Sequence, residues 1–318
     1  MTNTPINTLA NVLSVTKGAE RVSLQDIGRP ASQSLGVPAS GAADEYGFLL
    51  ANNLLGNNAN SPALEVVFGQ ISFTVSSSTR IAITGANCTV KRNGEPEKQG
   101  TCIHLHANDT IELGAFEKGN YAYIAIKDGF NATPWLESAV SKHESSTNTL
   151  VAECEFGYEG NITELPKPLC KPWPFYVDSE TAVLRFIPSP AWLNLPKVLK
   201  EKVVATSFTI DANSNKMGFR LNADGLDAVA ERIKDETSPF SSPVSFGQIQ
   251  LPAAAQWIVL MKDRQTMGGY PSIGTVMKTD LFRLSQLRAG TTVRFIPIAF
   301  EQAQLQLSAF YQRLNLIP

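Results

Sequence analysis

Several common chemistries are poorly supplied in this chain. It has 4 cysteines, Cys88, Cys102, Cys154 and Cys170, and no Cys-x-x-Cys pair. Their spacing matches no zinc-finger pattern, so they read as free, mostly buried thiols. It has 3 histidines, too few to make a histidine-centred triad attractive. His104 and His106 share one face of a strand, because side chains repeat every two residues. No third ligand lies near them in sequence, so no metal site is expected, and His143 falls in a polar loop. No Lys/Arg-rich run occurs and the net charge is −2, which argues against a nucleic-acid partner. No apolar run approaches the ~18 residues of a membrane span, and Met1–Asn11 lacks the basic and apolar regions of a signal peptide. A cytoplasmic protein with no membrane partner is expected. The phosphate-cradling Gly-x-x-x-x-Gly-Lys-Ser/Thr and the nucleophile elbow Gly-x-Ser-x-Gly are both missing.

Apolar core material is plentiful. Hydrophobic residues make up 43% of 318 residues and charged residues 18%, enough for about two domains with real cores. Most of the chain reads as short strands separated by turn signals. In the first half these are Arg21–Leu24, Leu64–Phe68, Ile71–Val75, Arg80–Thr84, Cys88–Arg92, Cys102–His106, Thr110–Leu113 and Tyr121–Ile126. Asn93-Gly94 is a type I′ hairpin signal. One helix stands out, with Tyr46, Leu49, Leu50 and Leu54 on a single face, Ser40 as its expected cap and Gly56 as its stop. Pro166, Pro168, Pro172 and Pro174 then mark a linker over 166–178. Beyond it, strands are expected near Val183–Ile187, Ala205–Ile210, Phe246–Leu251, Trp257–Lys262, Ile273–Met277 and Val293–Phe295. Helices are expected near Ala223–Ile233 and Leu281–Leu287, with a docked terminal helix over Phe300–Leu314.

Three segments carry candidate chemistry. Asp263-Arg264-Gln265-Thr266-Met267-Gly268-Gly269-Tyr270-Pro271 follows a strong strand and reads as the lip of a site. The glycine pair lets another molecule approach the backbone, and Arg264 offers a planar fork of donors for a carboxylate or phosphate. The plainer reading is a tight loop whose Arg264 pairs with Asp263. The loop Gly36–Asp44 brings Ser40 and Asp44 to a helix N-terminus, where backbone N–H groups favour anions; plain capping is the alternative. In Asn215-Lys216-Met217-Gly218-Phe219-Arg220-Leu221, a turn leads into a strand from which Arg220 can hold a carboxylate or simply form a surface ion pair. Met261-Lys262 and Met277-Lys278 lack the second methionine of a biotinyl site and read as ordinary strand ends. If biotin is used, another protein carries it.

Taken in order, the segments resemble the biotin-dependent carboxyltransferase family, also called allophanate hydrolase subunit two or KipA-like. The matching stretches are Gln25–Arg29, Gly36–Asp44, Ala51–Asn57, Ala63–Val66 with Gly69, Ile83–Ala86, Asn215–Leu221, Ser242–Val244, Gly247–Pro252, Asp263–Pro271, Asp280-Leu281 and Leu284–Gly290. They span nearly the whole chain. The resemblance implies a mainly β fold of two cyclophilin-like β-barrel domains with a few short helices, over 1–165 and 179–318. It implies a subunit of a 5-oxoprolinase-type hydrolase, which opens the 5-oxoproline lactam to glutamate with ATP acting through partner subunits. Those partners are a smaller homologous KipI-like subunit and a lactam-hydrolase subunit. Asp263 and Asp44 are then the acid/base candidates, and Ser40, Arg220, Arg264, Gln265, Gly268, Gly269 and Tyr270 the substrate-binding candidates. Two alternatives come with the family: transfer of carboxyl from biotin on another chain to urea or a related amide, and a KipA-like regulator that binds a kinase-inhibitor protein. The chain departs from the family pattern after Ile126, where the Gly-rich segment is replaced by Lys127–Ser141 and no Gly-Gly-x-x-Gly-Arg stretch follows between Ser145 and Asn161. Met267 stands where threonine is usual.

Overall fold

A computed structural model describes residues 11–140, 154–159, 181–235, 241–253 and 256–316. The described residues fall into two units. One is drawn from Met1–Asp26, Tyr46–Glu117 and Tyr121–Pro172, the other from Ile27–Glu45, Lys118–Asn120 and Trp173–Pro318. An early strap, Ile27–Glu45, packs with the later sequence. The expected linker over 166–178, with Cys170, lies outside the described residues, as do His143 and most of Ser145–Asn161.

The first unit is built from β1 (Val12–Lys17), β2 (Val22–Gln25), helix α1 (Glu45–Leu54), β3 (Ala63–Val67), β4 (Gly69–Val75), β5 (Thr79–Asn87), β6 (Val90–Arg92), β7 (Glu95–Glu97), β8 (Cys102–Leu105), β9 (Thr110–Ala115), β10 (Lys118–Ile126) and β11 (Cys154–Gly157). The division between units falls within α1 and β10. The strands form two sheets, ordered β11-β1-β4-β9-β6-β7 and β2-β3-β10-β5-β8. Period-2 alternation turns Leu13 and Val15, Phe73 and Val75, and Ile111 and Leu113 of the first sheet into one core with Leu64, Val66, Ile81, Ile83 and Ile124 of the second. The alternation fails along β10, where every residue after Lys118 is buried. Its other face is covered by α1, whose Phe48 meets Tyr123 edge-on at 6.2 Å. The Asn93-Gly94 hairpin forms as expected, with φ of 52° and 88° and Arg92 paired with Glu95. His104 and His106 are exposed, and no metal-sized group of His, Cys, Asp and Glu exists among the described residues. Burial with a nearby Glu117 charge pushes the Cys88 thiol up to about 12, which makes it an inert thiol.

The second unit contains β12 (Thr181–Pro188), α2 (Pro190–Asn194), α3 (Lys197–Ala205), β13 (Phe208–Ile210), β14 (Gly218–Asn222), α4 (Asp227–Asp235), β15 (Ser242–Pro243), β16 (Gln248–Ala253), β17 (Gln256–Leu260), β18 (Met267–Gly268), β19 (Ser272–Val276), α5 (Lys278–Gln286), β20 (Thr292–Pro297) and α6 (Phe300–Arg313). Seven of its strands close a barrel in the order β12-β19-β16-β17-β14-β13-β20. Alternate residues point inward, and Phe186, Phe208, Phe219, Trp257 and Phe295 fill the interior with aromatic contacts, Phe208 lying 4.9 Å from Trp257 and 5.0 Å from Phe295. β15 and β18 pair outside the barrel as a separate two-stranded ribbon. The mainly β class with few helices is thus observed, with the closed barrel in this unit. Helices α2 and α3 occupy sequence in which no helix is expected. No helix among the described residues is long and apolar enough to cross a membrane.

Candidate functional site

The strap Ile27–Glu45 reaches its place through two glycines. Gly28 and Gly41 have φ of 91° and 99°, and a Cβ on either would come within 2.3 Å of the Ser40 carbonyl oxygen or 2.6 Å of the Ile27 carbonyl carbon. Only glycine lets the two ends of this loop cross so closely. The loop is closed by the Arg29 N–H donating to the Ala39 carbonyl at 2.7 Å. It is stitched to the turn after β17 by the Ser40 N–H, which donates to the Lys262 carbonyl at 3.1 Å. The Gln33 amide donates to the carbonyls of Val244 at 2.8 Å and Thr266 at 3.0 Å. Ser40 holds a left-handed φ of 51° and does not cap α1, which begins only at Glu45.

At the strap's end lies a buried ionic group that no local sequence pattern announces. Glu45 is 4% exposed. One of its carboxylate oxygens accepts from Lys278 Nζ and Tyr311 Oη, both at 2.7 Å, and the other from Lys262 Nζ at 3.1 Å. Lys278 also donates to Tyr311 Oη at 2.6 Å. Burial alone pushes the Glu45 carboxyl up, but the two ammonium groups and the bonds from Lys278 and Tyr311 outweigh it and hold the group down at about 2. Burial lowers Lys262 against the pull of Glu45, and the Lys262 ammonium lies 5.1 Å from the Phe246 ring. Burial, then the Glu45 charge, raises Tyr311. One carboxylate thus serves two lysine side chains. Both lysines belong to the Met-Lys pairs read as strand ends. In each pair the methionine is buried, at 1% for Met261 and 3% for Met277, while the lysine turns toward Glu45. The repeated Met-Lys at strand ends was the signal, and the separation of its partners in sequence hid it.

Asp44, next in the strap, is fully buried and accepts from Gln286 Nε2 at 2.7 Å. Gln286 in turn accepts from the Asn120 N–H at 2.8 Å, while the Asn120 amide holds the Ser285 and Leu287 carbonyls at the end of α5. Arg264 is 8% exposed and its guanidinium faces the Val244 and Met261 carbonyls and Gln33, each at 3.4 Å. The Arg264–Asp263 pair of the plainer reading is not what forms. Asp263 instead has Lys216 Nζ at 3.9 Å, and its Oδ1 is buried with no hydrogen-bond partner among the described residues. Gln265, Gly269 and Tyr270 are exposed at the rim, and Gly268 is half-buried.

Arg220 is placed apart from this group. It pairs in register with Ile258 and leans toward Gln256, to whose Oε1 it donates at 3.1 Å. That direction leads down β17, away from the turn at Lys262. With Ala212, Asn213, Ser214, Asn215 and Gln256 it lines an open polar depression of about 570 Å³.

Residues 35–297 match the family described as carboxyltransferase domain, subdomain A and B. The chain belongs to this family. It is 27% identical to the C subunit of 5-oxoprolinase from Haemophilus influenzae over 89% of this chain and 90% of that one. It is also 27% identical to the C subunit of the Escherichia coli 5-oxoprolinase, over 92% and 93% of the two chains. In fold it is similar to the crystal structure of the K. lactis urea amidolyase, with a TM-score of 0.78 and 21% identity over 96% of this chain. The chain spans 20% of the amidolyase.

Proposed function

We propose that the chain is a subunit of an ATP-dependent enzyme that opens a small lactam or amide, with 5-oxoproline as substrate and glutamate as product. One observation carries this reading: relatives named as the C subunit of 5-oxoprolinase align over nine-tenths of both chains, whereas the amidolyase shares only a fifth of its length. The geometry supports roles within it. Asp263, with one unpartnered carboxylate oxygen, is the acid/base candidate at the rim. Gln265, Gly268, Gly269 and Tyr270 present the ligand-facing surface, with Ser40 in the adjoining strap. Asp44 and Arg264, both enclosed, act as positioning residues.

ATP enters through the partners, a smaller homologous subunit and a lactam-hydrolase subunit. The test is reconstitution of the three chains with ATP and 5-oxoproline. Glutamate release that requires this chain is the expected result, and none from the complete mixture overturns the reading. The family membership favours a second reading, carboxyl transfer from biotin on another chain to urea or a related amide. Carboxyl exchange with free biotin, without lactam turnover, distinguishes it.

A further inference from the structure

Gln250 lies on the outer face of the barrel, since its neighbours Ile249 and Leu251 fill the interior. It is nevertheless 1% exposed, because the β15–β18 ribbon covers it. Its Nε2 is buried and has no hydrogen-bond partner among the described residues. Such groups are rare in folded proteins and ask for a reason. The neighbourhood supplies one. The point where a Gly268 Cβ would sit is 2.9 Å from Gln250 Nε2 and 3.6 Å from Gln265 Nε2. Two amide nitrogens, one on β16 and one in the turn after β17, therefore meet beside a residue with no side chain, and the same turn carries the unpartnered oxygen of Asp263. One unmet need is for an acceptor oxygen and the other for a donor N–H.

We infer that Gln250 and Gln265 form a two-amide cradle at Gly268 that binds the carbonyl oxygen of a lactam or ureido group. The inference rests on the proposed site and adds Gln250 to it. Gly268 is then required twice, for the space it leaves and because a methyl there would press on Gln250 Nε2 and on Val244 Cγ1, also 2.9 Å away.

The experiment uses the full chain with ¹⁵N-labelled glutamine side chains, titrated with 5-oxoproline and, separately, with the cyclic urea imidazolidin-2-one. The Gln250 signals are assigned from the Gln250→Met spectrum. Support is a shift of the Gln250 amide pair on adding 5-oxoproline, with affinity at least tenfold weaker in Gln250→Met and a melting temperature unchanged or raised. Binding of 5-oxoproline that leaves the Gln250 signals still and is equally tight in Gln250→Met overturns the cradle but leaves the proposed function standing. A Gln250 shift with imidazolidin-2-one alone upholds the cradle and removes 5-oxoproline as the substrate. No Gln250 shift with either compound overturns the cradle. So does a Gln250→Met variant that melts lower with unchanged affinity, which would mark the amide as structural.

Discussion

Glu45 and Arg220 sit in the same unit and both are charged, yet their surroundings differ. Glu45 is held by three side chains from α5, α6 and the turn after β17, with almost no access to water. Arg220 lies in an open depression with one side-chain bond to a neutral amide. A charge out of water is strongly committed to its partners, while one in water is replaceable. The comparison therefore separates where the unit stores electrostatic energy from where it merely displays charge.

The most direct way to break the contrast is Glu45→Gln. The variant leaves Lys262 and Lys278 facing each other with no carboxylate, and removing one partner from a buried ionic group typically costs about 3–5 kcal/mol. A drop of this size in unfolding free energy, read from urea titration, is expected. A loss below about 1 kcal/mol would show that the Glu45 cluster behaves like a surface pair.

Acid titration tests the same cluster without mutation. The Glu45 carboxyl falls from an ordinary 4.5 to about 2 in the folded chain. Because the folded value is depressed, its contribution is fully present above the unfolded value and is lost as pH falls from about 4.5 toward 2. The expected loss is about 3 kcal/mol at most. Lys262 acts in the same sense in a more alkaline window, as a burial penalty relieved when its proton leaves. Its folded value is lowered, so the unfolded chain binds the proton more tightly and stability rises with pH below the ordinary lysine range. Stability curves for the native chain and Glu45→Gln that run parallel between pH 5 and 2 would count against the assignment.

These predictions concern a cluster that the sequence alone did not bring together, for a physical reason. Short apolar runs such as Ile81-Ala82-Ile83 or Trp257-Ile258-Val259 are a local signal, as is the Asn93-Gly94 turn, so the mainly β class was legible. The composition of Asp263–Pro271 likewise marked a turn with unusual chemistry. Helices α2 and α3 were not legible, being short and separated by Pro196. The strap Ile27–Glu45 has no periodicity to follow, and its placement is decided by the Gly28–Gly41 crossing and by bonds to Lys262, Val244 and Thr266. The Glu45 cluster joins positions 45, 262, 278 and 311, and no local pattern connects them. Arg264 was marked for its fork of donors, but donors spent on backbone carbonyls brace a turn.

Gly268→Ala probes the border between the two environments, at the ribbon that covers Gln250. The added methyl meets Gln250 Nε2 and Val244 Cγ1 at 2.9 Å, so one of them shifts. Overpacking of this kind costs about 1–3 kcal/mol. Thermal unfolding measures it, and an unchanged melting temperature would mean that the ribbon moves aside freely.

Arg220→Ala is expected to have the smallest effect. The bond to Gln256 is solvent-exposed, and exposed polar contacts of this type contribute about 0–1 kcal/mol. Stability within about 0.5 kcal/mol of the native chain is expected. In the reconstituted complex, KM and kcat for 5-oxoproline should also stay close to the native values, because the side chain leans away from the Lys262 turn. A raised KM with unchanged stability would reverse the comparison on its functional side. It would mean that Arg220 swings toward the ligand when the substrate binds, and that the displayed charge, rather than the stored one, selects the carboxylate.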